Sequence, residues 1–475
     1  MEAVADLASF DEIHRRFAEH GQEHVFRFWD RLDPARQVRL LAQAARIDLD
    51  ALERRFAATR ELARPGRRHL EPADIVRLPA HGGSPETFER AARLGSDLLA
   101  AGRVAVMVVA GGQGTRLGFS GPKGTFPIGP VSGRSLFQAQ AQKIRAMTRR
   151  YGRSIPWYIM TSPATDRETK QFFESNEYFE LSRKDVFFFE QPTVPAVDFE
   201  GRLILEAPDR IFESPNGHGG SIPALVDSGA VADMRARGVD TLFYYQVDNP
   251  LVRIEDPAYL GLHAEVAAEM SCKVVPKRDP DEKMGVVALV DGRLGIVEYT
   301  ELEDRYRHAR TPAGDLLFWA GNIAVHIFDL AFIERVAERA DELLPYHASA
   351  KKIPYVDPEG RRVEPDEPTG LKFERFVFDA LPAASRARVV EANREEEYAP
   401  VKNATGADSP QTAREALDRL YRRWLREAGI EELEAGLWVE IDHAFANGPE
   451  DLRARGIRSI AEAGAGIRVG PRGRR

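Results

Sequence analysis

The first 80 residues repeat their apolar positions with a helical period. Val38, Leu41 and Ala45 follow Asp33-Pro34, where the aspartate can cap free N–H groups and the proline suits a first helical turn. Ser84-Pro85 marks the start of another helix in the same way. The pattern therefore predicts a helical N-terminal region.

After residue 103, short β-branched and aromatic runs alternate with helical stretches. The predicted strands are Val104–Val109, Trp157–Thr161, Val186–Glu190, Leu242–Val247 and Lys273–Val275. The predicted helices are 135–149, 164–175, 221–237 and 257–270, the first opened by a capping box at Ser135-Leu136-Phe137-Gln138. This alternation is typical of an α/β domain with a mostly parallel sheet. Denser strands at Val286–Val290 and Leu294–Tyr299 predict an antiparallel extension of that sheet.

A third region follows the α/β pattern. We expect a helix at Gln411–Ala428 and a strand at Leu437–Ile441, and we expect disorder at 470–475, which is rich in glycine and arginine. The sequence thus divides into an N-terminal helical region at 1–95, a central α/β domain at 96–404 and a small C-terminal region at 405–475.

Composition narrows the class of protein. The chain has 475 residues, a single cysteine (Cys272) and a net charge of −8, so it has no intrachain disulfide, and the charge argues against a general nucleic-acid binder. The N-terminus is acidic and lacks the apolar core of a secretory signal. The longest apolar run, Val104–Ala110, falls far short of the roughly 20 residues that a membrane helix needs. We therefore expect a soluble, cytoplasmic protein without a membrane or nucleic-acid partner.

The strongest chemical signal is the glycine-rich loop Ala110–Gly118, directly after the first strand of the α/β pattern. Glycines let backbone N–H groups surround phosphate oxygens, Arg116 adds a fork of donors, and Lys123 supplies a point charge on the same loop. Open α/β sheets bind ligands at this edge. A tight structural turn is the alternative, but four glycines and two cations in one loop favour a phosphate site.

Two familiar phosphate loops do not match. The G-x-x-x-x-G-K-[ST] pattern is absent, and Gly112, Gly114 and Gly118 have the spacing G-x-G-x-x-x-G instead of the dinucleotide G-x-G-x-x-G. The chain also stays rich in glycine and proline until about Ser135. A long loop across the phosphates fits this segment better than a dinucleotide-binding turn.

Two further motifs carry weaker signals. Asp248 ends a predicted strand, where a carboxylate can hold Mg²⁺ against substrate phosphates or can simply cap a turn. The segment Pro215–Gly220 precedes a helix, and its backbone can approach a base or a sugar closely. His218 within it has no assigned proton-transfer role, because a single histidine is more often structural than catalytic.

The ordered motifs resemble the UDP-sugar pyrophosphorylase family, and most closely its UDP-N-acetylglucosamine branch. The resemblance covers roughly residues 20–425 and rests on 21–24 and 27–29, the loop 110–138, and the segments 156–162, 247–249, 297–299, 320–324, 351–357, 372–379 and 400–404. It implies a Rossmann-like nucleotidyltransferase sheet of the GT-A type.

The resemblance also implies roles for individual residues. Those expected to bind the nucleotide are Ala110, Gly111, Gly112, Gly114, Gln191 and Gly217. Those expected to act on the phosphates are Arg116, Lys123 and Lys402, with Asp248 as the ligand of Mg²⁺. Those expected to line the sugar pocket are His218, Glu298, Asn322, Phe376 and Phe378.

The implied reaction joins UTP to a sugar 1-phosphate and releases pyrophosphate. N-acetylglucosamine 1-phosphate is the favoured sugar, while His218 stands where the N-acetylglucosamine enzymes usually carry asparagine and so keeps glucose 1-phosphate open. Two other classes remain as alternatives: a nucleotide-sugar-binding module without turnover, and a nicotinamide-dependent oxidoreductase, which the glycine spacing disfavours.

Overall fold

The computed structural model describes residues 9–62, 68–430 and 436–472. The α-helices are α1 (Phe10–Glu19), α2 (Pro34–Arg46), α3 (Leu49–Leu62), α4 (Pro85–Ala100), α5 (Leu136–Tyr151), α6 (Asp166–Ser175), α7 (Ser221–Asp227), α8 (Ala230–Ala236), α9 (Pro257–Glu265), α10 (Asp304–Arg307), α11 (Leu330–Glu338), α12 (Ala340–Leu343), α13 (Arg394–Glu397), α14 (Pro410–Glu427), α15 (Pro449–Ala454) and α16 (Ile460–Ala463).

The strands alternate with these helices. They are β1 (Leu70–Pro72), β2 (Val104–Val109), β3 (Trp157–Thr161), β4 (Val186–Glu190), β5 (Thr193–Pro195), β6 (Leu205–Ala207), β7 (Arg210–Ile211), β8 (Glu213–Pro215), β9 (Thr241–Gln246), β10 (Met270–Pro276), β11 (Val286–Val290), β12 (Arg293–Val297), β13 (Ala320–Asp329), β14 (His347–Lys351), β15 (Tyr355–Val356), β16 (Arg362–Val363), β17 (Gly370–Glu374), β18 (Ala387–Glu391), β19 (Leu437–Ile441) and β20 (Ile467–Pro471).

The chain folds into two compact units that are discontinuous in sequence. The first unit takes in the described residues up to Arg68, together with Pro192–Gly220 and Leu344–Val377. The second unit takes in His69–Gln191, Ser221–Leu343 and the described residues from Phe378 onward. These units group residues by their packing, which is a different criterion from the sequence pattern. The division of the sequence at 95/96 and 404/405 therefore stays a prediction.

The second unit is built on the α/β sheet expected from the sequence. Its strands lie in the order β1-β11-β13-β9-β2-β3-β4; β10 pairs with β13, β18 pairs with β10, and β12 pairs with β11. The strands β9, β2, β3 and β4 are parallel, whereas β13, β11 and β1 pair antiparallel. The parallel core and its antiparallel extension are therefore both confirmed.

The parallel strands form a buried core because both faces of the sheet are covered. Every residue from Val104 to Val108 is at most 1% exposed, which explains why β2 is a continuous apolar run instead of an alternating one. Ser135 and Gln138 form the predicted capping box at the start of α5. Parallel packing brings the carboxyl ends of β2, β3, β4 and β9 to one edge of the sheet.

The first unit combines α1–α3 with short β-hairpins. Its core contains Phe17, Leu40 and Phe373, which are fully buried. The buried side chain of Gln43 on α2 bonds both the N–H and the carbonyl of Ile211 on β7, at 2.9 and 2.8 Å. This amide thereby satisfies the polar backbone of β7, which would otherwise be buried without partners.

Several boundaries differ from the sequence prediction. The helix expected at 221–237 is two helices, because the chain turns at Gly229 with a left-handed φ of +79°. The helix expected at 257–270 ends at Glu265, and Met270 already belongs to β10. The N-terminal region is not wholly helical, since β1 adds an edge strand to the sheet. A local apolar period does not reveal these long-range pairings.

The prediction of disorder from residue 470 is wrong for its first residues. Gly470 and Pro471 belong to β20, which pairs antiparallel with β19, the strand predicted at Leu437–Ile441. Residues 473–475 lie outside the described part of the chain. None of the helices in the described part combines the length and apolar character that a membrane crossing requires.

Candidate active site

The glycine-rich loop starts at the carboxyl end of β2 and meets the ends of β3 and β4. Ala110 is fully buried, and its N–H donates to the carbonyl of Met160 at 2.8 Å. Gly111 lies so close to Gln191 that an added Cβ would be 3.1 Å from Oε1 of that side chain. Gly111 and Gln191, two of the residues expected to bind the nucleotide, are therefore neighbours.

The rest of the loop folds back on itself. The N–H of Lys123 donates to the carbonyl of Gly112 at 2.9 Å, and the N–H of Gly114 donates to the carbonyl of Gly121 at 2.9 Å. Arg116 is exposed on the 3-10 turn Thr115–Leu117, and no described residue pairs with its guanidinium. The loop thus leaves this cation accessible at its surface.

Asp248 and two lysines form a charged cluster at the same edge. Nζ of Lys123 lies 4.0 Å from Oδ2 of Asp248, and these side chains are only 18% and 12% exposed. The N–H of Val401 donates to the Asp248 carbonyl at 2.9 Å, which brings the next residue, Lys402, to the cluster. The structure therefore assembles three predicted phosphate and metal residues from three distant segments.

The charge of Lys402 is secured by its surroundings. Burial disfavours the charged form, yet the pKa of Lys402 lies above the ordinary lysine value. The neighbours that raise it are Tyr398, Asp248 and Asp408. Lys402 is consequently protonated at neutral pH.

Asn249 links the segments that carry Asp248 and Lys402. Its Nδ2 donates to the carbonyl of Glu397 at 2.7 Å, and its Oδ1 accepts the N–H of Ala399 at 3.1 Å. The amide side chain thus bonds both a donor and an acceptor of the neighbouring segment. The sequence motif contains Asn249, but its role emerges only from these contacts.

Glu298 and Asn322 come together around a glycine that sequence reasoning missed. A Cβ on Gly285 would lie 2.8 Å from Oε1 of Glu298, and the Gly285 carbonyl accepts the N–H of Asn322 at 2.8 Å. The Asn322 side chain accepts the N–H of Ala324, whose φ of +54° marks a bulge in β13. A glycine just before a strand gives no local sign of this role.

The remaining residues that are expected to bind the nucleotide or line the sugar pocket belong to both units. In the first unit, the rings of His218 and Phe376 stack with centroids 5.4 Å apart, and the Phe376 ring lies 4.6 Å from that of His347. Gly217 has a φ of +81° and lies against the backbone of Arg375, where a Cβ would be 2.4 Å from the carbonyl oxygen. In the second unit, Phe378 is buried.

His218 is neutral and has a defined tautomer. Burial, assisted by the nearby His347, lowers the pKa of His218 to about 4. Its Nδ1 accepts the N–H of Val377 at 3.2 Å, so the proton of the neutral ring is on Nε2. At neutral pH this side chain is a hydrogen-bond donor without charge.

Comparison with known proteins agrees with this arrangement. The profile of the family described as UTP–glucose-1-phosphate uridylyltransferase matches residues 84–408. The chain belongs to this family. It is a nucleotidyltransferase of the UDP-sugar pyrophosphorylase type, and the matched range contains every expected site residue.

Individual relatives of the uridylyltransferase family cover nearly the whole chain. UDP-N-acetylhexosamine pyrophosphorylase-like protein 1 of Homo sapiens is 39% identical, over 98% of this chain and 96% of its own. UDP-N-acetylglucosamine diphosphorylase 2 of Arabidopsis thaliana is 38% identical, over 87% and 84%. The crystal structure of the Trypanosoma brucei uridine diphosphate N-acetylglucosamine pyrophosphorylase in complex with inhibitor superposes with a TM-score of 0.81, at 28% identity, over 94% of this chain and 95% of that chain.

Proposed function

We propose that this uridylyltransferase joins UTP to N-acetylglucosamine 1-phosphate and releases pyrophosphate in a magnesium-dependent reaction. The observation that carries the proposal is the cluster of Lys123, Asp248 and Lys402 beside the glycine-rich loop. The names of the relatives at 38–39% identity support an N-acetylhexosamine 1-phosphate as the sugar.

The reaction needs positioning and charge neutralisation more than proton transfer. An oxygen of the sugar phosphate bonds to the α-phosphorus of UTP while the bond from that phosphorus to the bridging oxygen breaks, and the electron pair leaves with pyrophosphate. The nucleophile is already anionic, so no general base is required. Lys123 and Lys402 neutralise the reacting phosphates, and the exposed Arg116 pairs with the departing pyrophosphate.

The surroundings of Asp248 fit a magnesium ion that is shared with the substrates. Proteins commonly hold Mg²⁺ with one or two carboxylates plus substrate phosphates and water. In the described ranges, the one group of three metal-ligating side chains is His20, Asp50 and Glu53, which lies elsewhere. Asp248 would therefore hold the ion together with the nucleotide, and the bound ion supplies positive charge to the phosphates.

Removal of the metal tests this part of the proposal. We expect EDTA to abolish pyrophosphate release and excess MgCl₂ to restore it. Asp248→Asn should raise the MgCl₂ concentration needed for half-maximal rate by at least tenfold, because it removes the charge of the carboxylate ligand. An unchanged magnesium dependence in this variant would contradict the assignment of Asp248.

A glucose-1-phosphate enzyme is the second candidate, and His218 is the observation that favours it. The imidazole stacks on Phe376 and offers a neutral N–H donor where the N-acetylglucosamine branch usually carries an amide. The variant His218→Asn tests whether this residue determines the choice of sugar. If His218 sets the choice of sugar, this variant should shift the ratio of kcat/KM for the two sugar phosphates toward N-acetylglucosamine 1-phosphate by about tenfold.

The outcome separates the two candidates when the parent enzyme is assayed in parallel. If the parent already prefers N-acetylglucosamine 1-phosphate and the kcat/KM ratio for the two sugar phosphates is unchanged in His218→Asn, residues other than His218 determine the choice of sugar. A parent that prefers glucose 1-phosphate and loses this preference in His218→Asn would overturn the proposed sugar. Phe212→Leu, outside the expected sugar pocket, provides a control variant in the same unit.

A further inference from the structure

The glycine-rich loop continues beyond Lys123 into a hairpin. The N–H of Phe126 donates to the Lys123 carbonyl at 3.0 Å, and the Phe126 carbonyl accepts the N–H of Leu136 at 3.1 Å. Nearer the tip, the Arg134 carbonyl accepts the N–H of Ile128 at 2.8 Å. We call residues 126–136 the loop hairpin. A displacement of the loop hairpin would therefore also displace the backbone of Lys123.

The tip of the loop hairpin is held by one carboxylate of the C-terminal region. Glu440 on β19 is fully buried and accepts hydrogen bonds from the N–H of Val131 and the N–H of Ser132, both at 2.7 Å. It also accepts the Ser132 hydroxyl at 2.5 Å and pairs with the guanidinium of Arg134. Four donors from Val131, Ser132 and Arg134 thus converge on a single side chain.

The charged state of Glu440 is favoured despite its burial. Burial by itself raises the pKa of the carboxyl, but Arg134 and Ser132 outweigh this effect and hold the pKa of Glu440 below its ordinary value. A buried carboxylate that accepts several N–H donors is a strong and directional anchor. The anchor therefore keeps its geometry at neutral pH.

Two further contacts of the C-terminal region reach the same hairpin. Nη2 of Arg414 on α14 donates to the Pro127 carbonyl at 2.8 Å, beside the stem. Gly470 on β20 packs so closely against the tip that an added Cβ would lie 3.1 Å from Cγ1 of Val131. The stem and the tip are both in contact with residues that lie more than 280 positions later in the chain.

We propose that Glu440 is a positioning residue for catalysis, and that the C-terminal region fixes the loop hairpin so that Lys123 meets the reacting phosphates. This inference rests on the proposed function. Glu440 acts through the backbone that leads to Lys123 and does not itself touch a substrate. Small displacements of a charge-neutralising group reduce the rate strongly, because catalysis of phosphate transfer depends on placement.

The chain offers a matched control for a merely structural role. Asp418 on α14 is 1% exposed, accepts the N–H of Val439 at 2.8 Å and pairs with Arg422 and Arg472. It is a buried carboxylate of the same region with arginine partners. Its hydrogen bonds and ion pairs join it to Arg422, Val439 and Arg472, all within the C-terminal region, and not to the loop hairpin.

The experiment compares Glu440→Gln with Asp418→Asn in the full-length enzyme. We measure kcat and KM for UTP and for the sugar phosphate by pyrophosphate release, and we measure Tm. For Glu440→Gln we expect kcat to fall by at least tenfold with less than a threefold change in the KM for the sugar phosphate. For Asp418→Asn we expect kcat within twofold of the parent, although Tm falls by a similar amount.

A second variant keeps the inference testable if Glu440→Gln does not fold. Gly470→Val leaves the carboxylate in place and pushes Val131 at the tip of the loop hairpin away from β20, so it should also lower kcat by severalfold. Equal kcat losses in the Glu440 and Asp418 variants, or a parent-like kcat in both Glu440→Gln and Gly470→Val, would overturn the inference. An inactive parent would instead contradict the proposed function.

Discussion

The replacement of Lys123 by methionine tests the role of the charged cluster. Methionine keeps an unbranched stem of similar length and removes the ammonium. In the structure this ammonium lies 4.0 Å from the Asp248 carboxylate, and both side chains are largely buried. Two unit charges at that separation interact by about 4 kcal/mol at an effective dielectric constant of about 20. The interaction energy of the Lys123 ammonium with a reacting phosphate at a similar distance is of the same magnitude.

Only the part of this interaction that grows toward the transition state affects kcat. The loss of one preorganised charge-stabilising donor typically costs about 3–4 kcal/mol in the transition state. We therefore expect kcat for Lys123→Met to fall by roughly 100- to 1,000-fold, since each 1.36 kcal/mol is about a factor of ten. The free energy of unfolding should change by no more than about 1 kcal/mol, because Lys402 still compensates the Asp248 carboxylate.

The assay is the initial rate of pyrophosphate release at saturating UTP, sugar 1-phosphate and MgCl₂. Lys170→Met is the control, because Lys170 is 43% exposed and pairs with Asp166 on its own helix. This control should keep the parent rate. A Lys123→Met enzyme that turns over within threefold of the parent would refute the assignment of Lys123 to the reacting phosphates.

Three further predictions follow from buried groups. Lys273→Met should lower the free energy of unfolding in urea by about 3–5 kcal/mol, because it leaves two buried carboxylates without the ammonium that lies 2.8 and 2.5 Å from them. Burial lowers the pKa of His263 to about 4, so between pH 6.5 and pH 4 the unfolded chain binds a proton that the folded chain does not. As the pH falls through this window, the free energy of unfolding of the parent should decrease by about 3 kcal/mol more than that of His263→Gln. Parallel pH dependences of the two proteins would contradict this prediction. Gly285→Ala should raise the KM for the sugar phosphate by at least fivefold with UTP binding unchanged, because its Cβ would lie 2.8 Å from Oε1 of Glu298 and push that carboxylate aside. A parent-like KM would exclude a role for Gly285 in placing Glu298 at the sugar.

Much of the fold follows from local signals in the sequence. The buried strand β2, the capping box of α5 and the glycine-rich loop between them have strong local preferences that agree with the final structure. The helix predicted at 257–270 runs past its observed end at Glu265, because Ala267, with a φ of +46°, turns the chain without a glycine or proline to mark the position.

The site depends on pairings that no local pattern encodes. Lys123, Asp248 and Lys402 are separated by more than 100 residues, and only the parallel order of the strands and the contact between Val401 and Asp248 bring them together. The sequence resemblance identified these residues, whereas it gave no sign of the anchor at Glu440. That contact joins positions 309 residues apart, and Glu440 lies outside the motifs that carry the resemblance.

The most direct test of the central claim is a side-by-side kinetic comparison of sugar phosphates. The enzyme is assayed with UTP and MgCl₂ and either N-acetylglucosamine 1-phosphate or glucose 1-phosphate, and both pyrophosphate and the UDP-sugar are quantified. We predict equimolar pyrophosphate and UDP-N-acetylglucosamine, with a kcat/KM at least tenfold above that for glucose 1-phosphate. A preference for glucose 1-phosphate, or no UDP-sugar from folded enzyme with either substrate, would contradict the account.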